Sequence, residues 1–459
     1  MLKASDFKRL GGRGIRATAV RILTNVDVRK SYADILLANA LDGAGIDDRD
    51  RALLTEIVYG TLRWRARLDA ELKPYMRRQI ERTDPFLRNL LRLSLYQLRF
   101  LDKVPAYAVL NEAVELAKQG RRSGPAAFVN AVLRGTLREG RAPMPPGSES
   151  ACVAKLVEQW SHPAWMIQKW LNIFGLEETT ALLKSNNEPA PLALRVNRLK
   201  LTREQLVNQL GRERIEADSS KYSPHGVVLR SRLPVVRLPG FGKGCFQVQS
   251  EASQLVVFLL APQPGERILD ACAAPGGKAT HIAEMMGDNG QVAAMDISKS
   301  GLNKIVENVS RLELRSITTS AADFTKPSPL SGNKPYDRVL VDVPCSGLGT
   351  LRSHPEIKWQ RSEKDIQRLA RLQTRILDHA ARAVKPGGVL VYSTCTIAWE
   401  ENENIVEDFL ANHHEFVLEA AADYLPDQAK NMIKGDYFLA LPHRHNTDGF
   451  FAARMRKAI

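Results

Sequence analysis

The chain is poor in cysteine, with five in 459 residues, at positions 152, 245, 272, 345 and 395. No two stand at CxxC spacing, which argues against a disulfide framework and a structural zinc ribbon. The nine histidines, His413-His414 and His443/His445 among them, have no HExxH or cysteine partner nearby, so no metal is expected. Long apolar runs are also missing. The longest, VVFLLAP at 256–262, falls far short of the roughly 20 residues of a membrane-spanning helix. The opening MLKASDFKRLGGRGIR lacks the apolar core of a secretory signal. These absences predict a cytoplasmic protein with no membrane partner. Internal repeats and low-complexity tracts are absent too, and a composition of 44% hydrophobic and 25% charged residues is that of an ordinary globular chain. Its length calls for more than one core.

Positive charge is present in excess, and it is unevenly spread. The net charge is +14; residues 1–150 hold 27 Lys and Arg against 17 Asp and Glu, and the remaining 309 hold 38 against 34. A basic first third joined to a nearly neutral remainder points to a polyanionic partner, nucleic acid ahead of membrane. That first third reads as helix. Apolar residues recur at three- and four-residue steps through 48–73 and 85–101, and the helical stretches 105–119 and 124–139 are each opened by Pro or Gly. Arginine clusters (Arg63, Arg65 and Arg67; Arg77 and Arg78; Arg121 and Arg122) are expected on solvated helix faces. RAPMPPGSES at 141–150 is the clearest linker. Beyond it, two helices over 161–188, a strand at 191–200, a helix at 202–211 and a strand at 226–232 suggest a small α+β subdomain.

From about residue 245 strands and helices alternate. The strand candidates are RILDAC (267–272), QVAAMDI (291–297), SITTSAAD (316–323), DRVLVDV (337–343) and GGVLVYST (387–394). Such alternation predicts a mostly parallel sheet covered by helices on both faces. The loop DACAAPGGKAT (270–280) leaves the first strand, where a doubly wound sheet binds nucleotide-like ligands. It is neither a phosphate-binding GxxxxGK[ST] loop nor a dinucleotide GxGxxG loop, because Ala279 follows GGK and Ala or Pro stands where glycines belong. Asp270, Asp296, Asp323 and Asp342 end the first four strands. A carboxylate-lined pocket repels a pyrophosphate but suits the ribose and adenine of S-adenosylmethionine, with Asp296 placed for ribose hydroxyls.

VLVDVPCSGLG (339–349) and VLVYSTCT (389–396) each place a cysteine just past a strand, Cys345 and Cys395. Amine methyltransferases put an aromatic where Cys345 stands, to stack on the base; a cysteine there speaks for covalent chemistry. Methylation of a pyrimidine at carbon 5 requires it, because that carbon is a poor nucleophile. A thiolate adding to carbon 6 makes the ring enamine-like, a carboxyl group near ring nitrogen 3 stabilises it, and a base finally removes the proton on carbon 5. Asp342 is the carboxyl group in place. Either thiol could attack, and the chemistry alone does not choose between them.

LDACAAPGGKATH, VDVPCSGLGTLRSHPEIKWQR, LVYSTCTIAWEENE and DGFFAARM together resemble the RNA cytosine-carbon-5 methyltransferases of the NOL1/NOP2/Sun family. DRALLTEIVYGTLRWR, VPAYAVLNEAV and FVNAVLRG resemble the NusB-type RNA-binding domain. The resemblance implies three parts: an all-α NusB-like bundle over 1–145, a small α+β subdomain over 146–240, and an α/β Rossmann-like methyltransferase domain over 241–459. It implies that Cys395 is the nucleophile, that Cys345 assists release of the product, and that Asp342 contacts the ring. Cys272, Ala273, Ala274, Pro275, Gly276, Gly277 and Lys278, with Asp296, Asp323 and Asp342, would form the S-adenosylmethionine pocket. The implied substrate is 16S ribosomal RNA, handled by a monomer with its target selected by residues 1–240. A non-catalytic RNA-binding factor is the competing expectation.

Overall fold

In a computed structural model of the chain, the described residues are 14–42, 46–118, 124–138, 152–230, 234–326 and 334–459. The linker expected at 141–150 lies outside them, as do residues 1–13 and the pair Arg121 and Arg122. Two compact units emerge: Met1–Glu188 with Leu351–Gln360, and Pro189–Thr350 with Arg361–Ile459.

The first unit is helical. Asp47 opens the helix Asp48–Arg63 by accepting from the Asp50 N–H, and Asp84 opens Pro85–Phe100 by accepting from Phe86 and Leu87, with Pro85 in the first helical position. Leu54, Ile57 and Val58 from the former pack against Leu90, Leu91 and Leu95 from the latter. The stretch 48–73, which the periodicity presents as one helix, breaks at Trp64 (φ −103°, ψ 16°) into Asp48–Arg63 and Arg65–Leu72.

The arginines there do not form a solvated face. Arg63 and Arg67 are buried, Arg65 pairs with Asp27 at 2.9 Å, and the almost fully buried Arg92 reaches Asp69 at 2.6 Å and Asp27 at 3.1 Å. Each buried guanidinium has carboxylate or carbonyl acceptors, which is the condition for burying it. Arg77 and Arg78 are exposed, as expected.

Leu351–Gln360 comes from the far half of the chain yet belongs to this unit. Lys358 is fully buried, and its ammonium donates to the Arg63 and Ser161 carbonyls and to Asn187 Oδ1 at 2.8–3.0 Å. Trp359 donates its indole N–H to the Leu62 carbonyl at 3.0 Å, and Arg65 stacks over its ring.

The second unit holds two sheets. The smaller comprises β1 (Leu192–Val196), β2 (Ala217–Ser219), β3 (Gly226–Leu229) and β4 (Phe246–Val248), antiparallel in the order β2-β3-β1-β4. A helix, Arg203–Arg212, begins with a Thr202–Gln205 capping box and closes the small core with Leu206 and Leu210.

The larger sheet begins with β5 (Arg267–Asp270), β6 (Gln291–Asp296), β7 (Ile317–Ala321), β8 (Tyr336–Asp342) and β9 (Val384–Thr394), all parallel. Their order, β9-β8-β5-β6-β7, places the first strand at the centre. Four further strands, β10 (Phe416–Glu419), β11 (Ile433–Lys434), β12 (Tyr437–Ala440) and β13 (Phe450–Lys457), extend the β9 side in antiparallel fashion. Side chains alternate across the sheet, so Ile268 enters the core on one face and Leu269 the core on the other. Helices Glu251–Leu260, Gly277–Met285 and Lys299–Leu312 cover the first face; Glu363–Ala381 and Glu403–Asn412 cover the second. Among the described residues no helix is long and apolar enough to cross a membrane.

Candidate active site

The carboxyl ends of β5, β6, β8 and β9 lie side by side, the place where open parallel sheets bind ligands. The loop after β5 turns sharply there: Gly276 has φ +100°, and an added Cβ would lie 3.2 Å from the Ile305 backbone, so glycine is required. Asp296, at the end of β6, holds this loop by accepting from the Ala274 N–H at 3.0 Å, while its other oxygen accepts from Ser298 N–H at 2.8 Å. Asp323 lies two residues past the end of β7 rather than on the strand. Its carboxylate is held below the ordinary range, chiefly by the Thr325 hydroxyl and N–H.

Asp270 is the unusual member of the set. It is 1% exposed, and neither oxygen makes a hydrogen bond of ordinary geometry among the described residues. Burial, then the neighbouring Asp342 charge, push its pKa up to about 7 against the opposing pull of Lys278. A buried, unpartnered carboxyl group calls for a donor, and the amino group of a bound amino acid moiety is such a donor. Cys272 packs among apolar residues, and its thiol is pushed well up, first by burial and then by Asp270. These residues fit S-adenosylmethionine: carboxylates for amine and hydroxyl groups, a tight glycine turn and, among the described residues, no cluster of cations for a phosphate.

The two cysteine loops meet. Cys345 Sγ and Cys395 Sγ are 3.2 Å apart, both partly buried. The Cys345 thiol is pushed well up, first by its hydrogen bond to Cys395 and then by burial. Asp342 is fixed at both oxygens: Lys278 donates to one at 2.5 Å and the Ser393 hydroxyl to the other at 2.8 Å. Lys278 in turn lies over the Phe450 ring at the start of β13. The candidate site residues thus lie at strand ends, in the loops that follow and in the first turn of the helix Gly277–Met285, and Lys278, Asp342, Cys345 and Cys395 come together.

Two sets of residues that frame the site were not foreseen. Glu401, fully buried, accepts from the Ser346 N–H at 2.9 Å and from Gln373 at 2.8 Å, and Gln373 also donates to the Pro344 carbonyl at 3.0 Å. Ser346 and Thr396, each following a cysteine, share a hydroxyl hydrogen bond of 2.8 Å. Arg195 of β1, also fully buried, donates to Glu284 at 2.8 and 3.1 Å, to Thr280 Oγ1 at 3.0 Å, to the Gly277 carbonyl at 2.5 Å and to Gln249. The signal was one charge of each sign inside apolar patterns, Arg195 in LALRV and Glu284 in THIAEMM.

Comparison with known proteins agrees with this architecture. The family "16S rRNA methyltransferase RsmB/F" matches residues 257–456, the NusB family matches 13–138, and a ferredoxin-like domain of RsmF/B-type methyltransferases matches 162–236. The chain is 37% identical over 444 residues to the probable ribosomal RNA small subunit methyltransferase B of Bacillus subtilis, covering 96% of this chain and 98% of that protein. It is 35% identical over 442 residues to ribosomal RNA small subunit methyltransferase B of Pseudomonas putida, covering 96% and 98%. Among solved structures, PH0851 superposes with a TM-score of 0.82 at 27% identity, covering 96% of this chain and 99% of that one. NSun6 from Pyrococcus horikoshii, solved with SFG, superposes with a TM-score of 0.58 at 26% identity, covering 65% and 98%. The chain belongs to the RsmB/F family of 16S ribosomal RNA methyltransferases, and its cofactor is S-adenosylmethionine.

Proposed function

We propose that this enzyme methylates carbon 5 of a cytosine in 16S ribosomal RNA through a covalent adduct between Cys395 and carbon 6. The observation that carries the proposal is the 3.2 Å approach of the two sulfurs beside a carboxylate held at both oxygens. The two sulfurs share a hydrogen bond that either can donate, and the attack is assigned to Cys395 because the family resemblance implies it. The Cys395 sulfur bonds to carbon 6, and the electron pair of the 5,6 double bond moves toward carbon 5. Asp342, positioned by Lys278 and Ser393, relays the proton released by the Cys395 thiol to ring nitrogen 3, so that no negative charge accumulates beside the carboxylate. The bound cofactor supplies an electrophilic methyl group. The proton on carbon 5 is then lost, with Cys345 acting as or alongside the base; the double bond re-forms, and the carbon–sulfur bond breaks as the proton on nitrogen 3 returns through Asp342 to the departing sulfur. Residues 272–278, with Asp296, Asp323 and Asp342, hold the cofactor. Target selection falls to residues 1–240, with 1–145 as the NusB-like RNA-binding part, and the enzyme acts as a monomer.

The test is methyl transfer to unmodified 16S RNA followed by product analysis. We expect 5-methylcytosine from wild type, none from Cys395→Ala, and enzyme–RNA adducts that survive denaturing gels from Cys345→Ala. Adducts from Cys395→Ala would reverse the two roles, and a methyl group on an exocyclic nitrogen would overturn the reaction.

A further inference from the structure

Within the helical unit, Asp34, His354 and Glu356 bring one carboxylate, one imidazole and a second carboxylate together, their ligand atoms all within 4.8 Å of one another. Asp34 sits in the first turn of the helix Ala33–Asp42 and is exposed; His354 is half-buried; Glu356 is fully buried. One Glu356 oxygen accepts from the Ala33 N–H at 3.0 Å and lies 3.8 Å from His354 Nδ1. The other Glu356 oxygen has no hydrogen-bond partner among the described residues, although it is sealed from solvent. A carboxylate in that situation is costly to bury unless a cation or donor meets it.

The nearby cations are otherwise engaged. Lys358, two residues on, spends its donors on two carbonyls and the Asn187 side chain, and Arg63 donates to the Arg352 carbonyl. Among the described residues no Lys or Arg forms an ion pair with Asp34 or Glu356. The half-buried Tyr59 phenol beside them is pushed up first by burial and then by Glu356 and Asp34, against the pull of Arg63.

We propose that Asp34, His354 and Glu356 bind a divalent cation of the zinc class, which ties the segment Leu351–Gln360 to the helix Ala33–Asp42. Two carboxylates neutralise the ion's charge, and the imidazole favours zinc over magnesium or calcium. Three protein ligands leave a fourth tetrahedral position on the exposed Asp34 side for water. The cation supplies the buried Glu356 oxygen with the partner it lacks, so the role is structural.

The experiment is calorimetric titration of Zn²⁺ into the full-length protein carrying Cys345→Ser and Cys395→Ser, so that the thiol pair does not compete. A weak chelator buffers the free metal. One saturable site is expected, weakened at least tenfold by Asp34→Asn and likewise by His354→Gln. Zinc is also expected to raise the melting temperature of the parent but not of either variant. Because Asp34 is exposed, its replacement leaves the fold intact, which circular dichroism checks. Absence of a saturable site, or a site that both variants retain, overturns the proposal.

Discussion

Replacing Arg195 by methionine tests how the cofactor loop is held. The Arg195 and Glu284 side chains are both 0% exposed, and their pair is the centre of a network that reaches the Gly277 carbonyl. Removing the guanidinium leaves the Glu284 carboxylate buried without its cation. Breaking a buried pair from one side costs about 3–5 kcal/mol, which for a unit of this size lowers the melting temperature by about 10 °C. The companion variant, Arg195→Met with Glu284→Leu, removes both charges and should recover more than half of that loss, since apolar replacements of buried pairs are often near neutral.

The pH dependence gives an independent signature. Glu284 is already raised by burial, and without Arg195 it rises further. The native state then binds a proton that the unfolded state, near pKa 4.3, has released, so stability falls as pH rises above that value. The Arg195→Met deficit should therefore shrink between pH 7 and pH 5. Thermal denaturation followed by circular dichroism measures both effects, and methyl-transfer kinetics should show a raised KM for S-adenosylmethionine. If the double variant is no more stable than the single one, and the deficit does not change with pH, the uncompensated carboxylate is not the cause.

Three further outcomes follow from the site. Asp270, raised to about 7 by burial and by Asp342, binds its proton more tightly folded than unfolded, so its ionisation costs stability as pH climbs from 4 through 7, by about 4 kcal/mol; Asp270→Asn should remove that slope in denaturant titrations across the range, and an unchanged slope would exclude Asp270 as its source. Glu401→Ala strands the Ser346 N–H and the Gln373 amide and should cost about 2–4 kcal/mol, whereas Glu401→Gln keeps an acceptor and should stay within about 1 kcal/mol of wild type; equal losses in urea midpoints would refute the hydrogen-bond account. Lys278→Met takes away the cation that fixes Asp342 and should lower kcat on the order of 100-fold in single-turnover assays, while a change confined to KM would show that Lys278 only binds cofactor.

The five parallel strands were legible because each is a short apolar run bounded by helix of a different period, although β7 stops at Ala321, two residues short of Asp323. The antiparallel strands β10–β13 were not. FFAARMRK carries no alternation, since Phe450 to Met455 are all buried, and its pairing to β9 joins residues about sixty positions apart. The arginines of 63–67 looked like surface because periodicity cannot register acceptors that lie far along the chain, such as Asp27 for Arg65. Glu401 stood in a quoted motif but had no visible role, for its partners Ser346 and Gln373 are supplied by other loops and helices. Local pattern reveals a strand or a nucleophile; it does not reveal what braces them.

The membership of Leu351–Gln360 in the helical unit bears on how this protein can be divided. A fragment ending at Glu188 would lack the ammonium that satisfies the Arg63 and Ser161 carbonyls and the Asn187 side chain, and the indole that satisfies Leu62. The remaining fragment would carry a decapeptide whose buried residues Leu351, Arg352, Pro355, Glu356, Ile357 and Lys358 had lost their surroundings. The chain threads out of one unit and back, so the two behave as laced rather than strung. Neither is a module to be cut free at a linker, and an exchange of helical units between relatives would have to carry its decapeptide along.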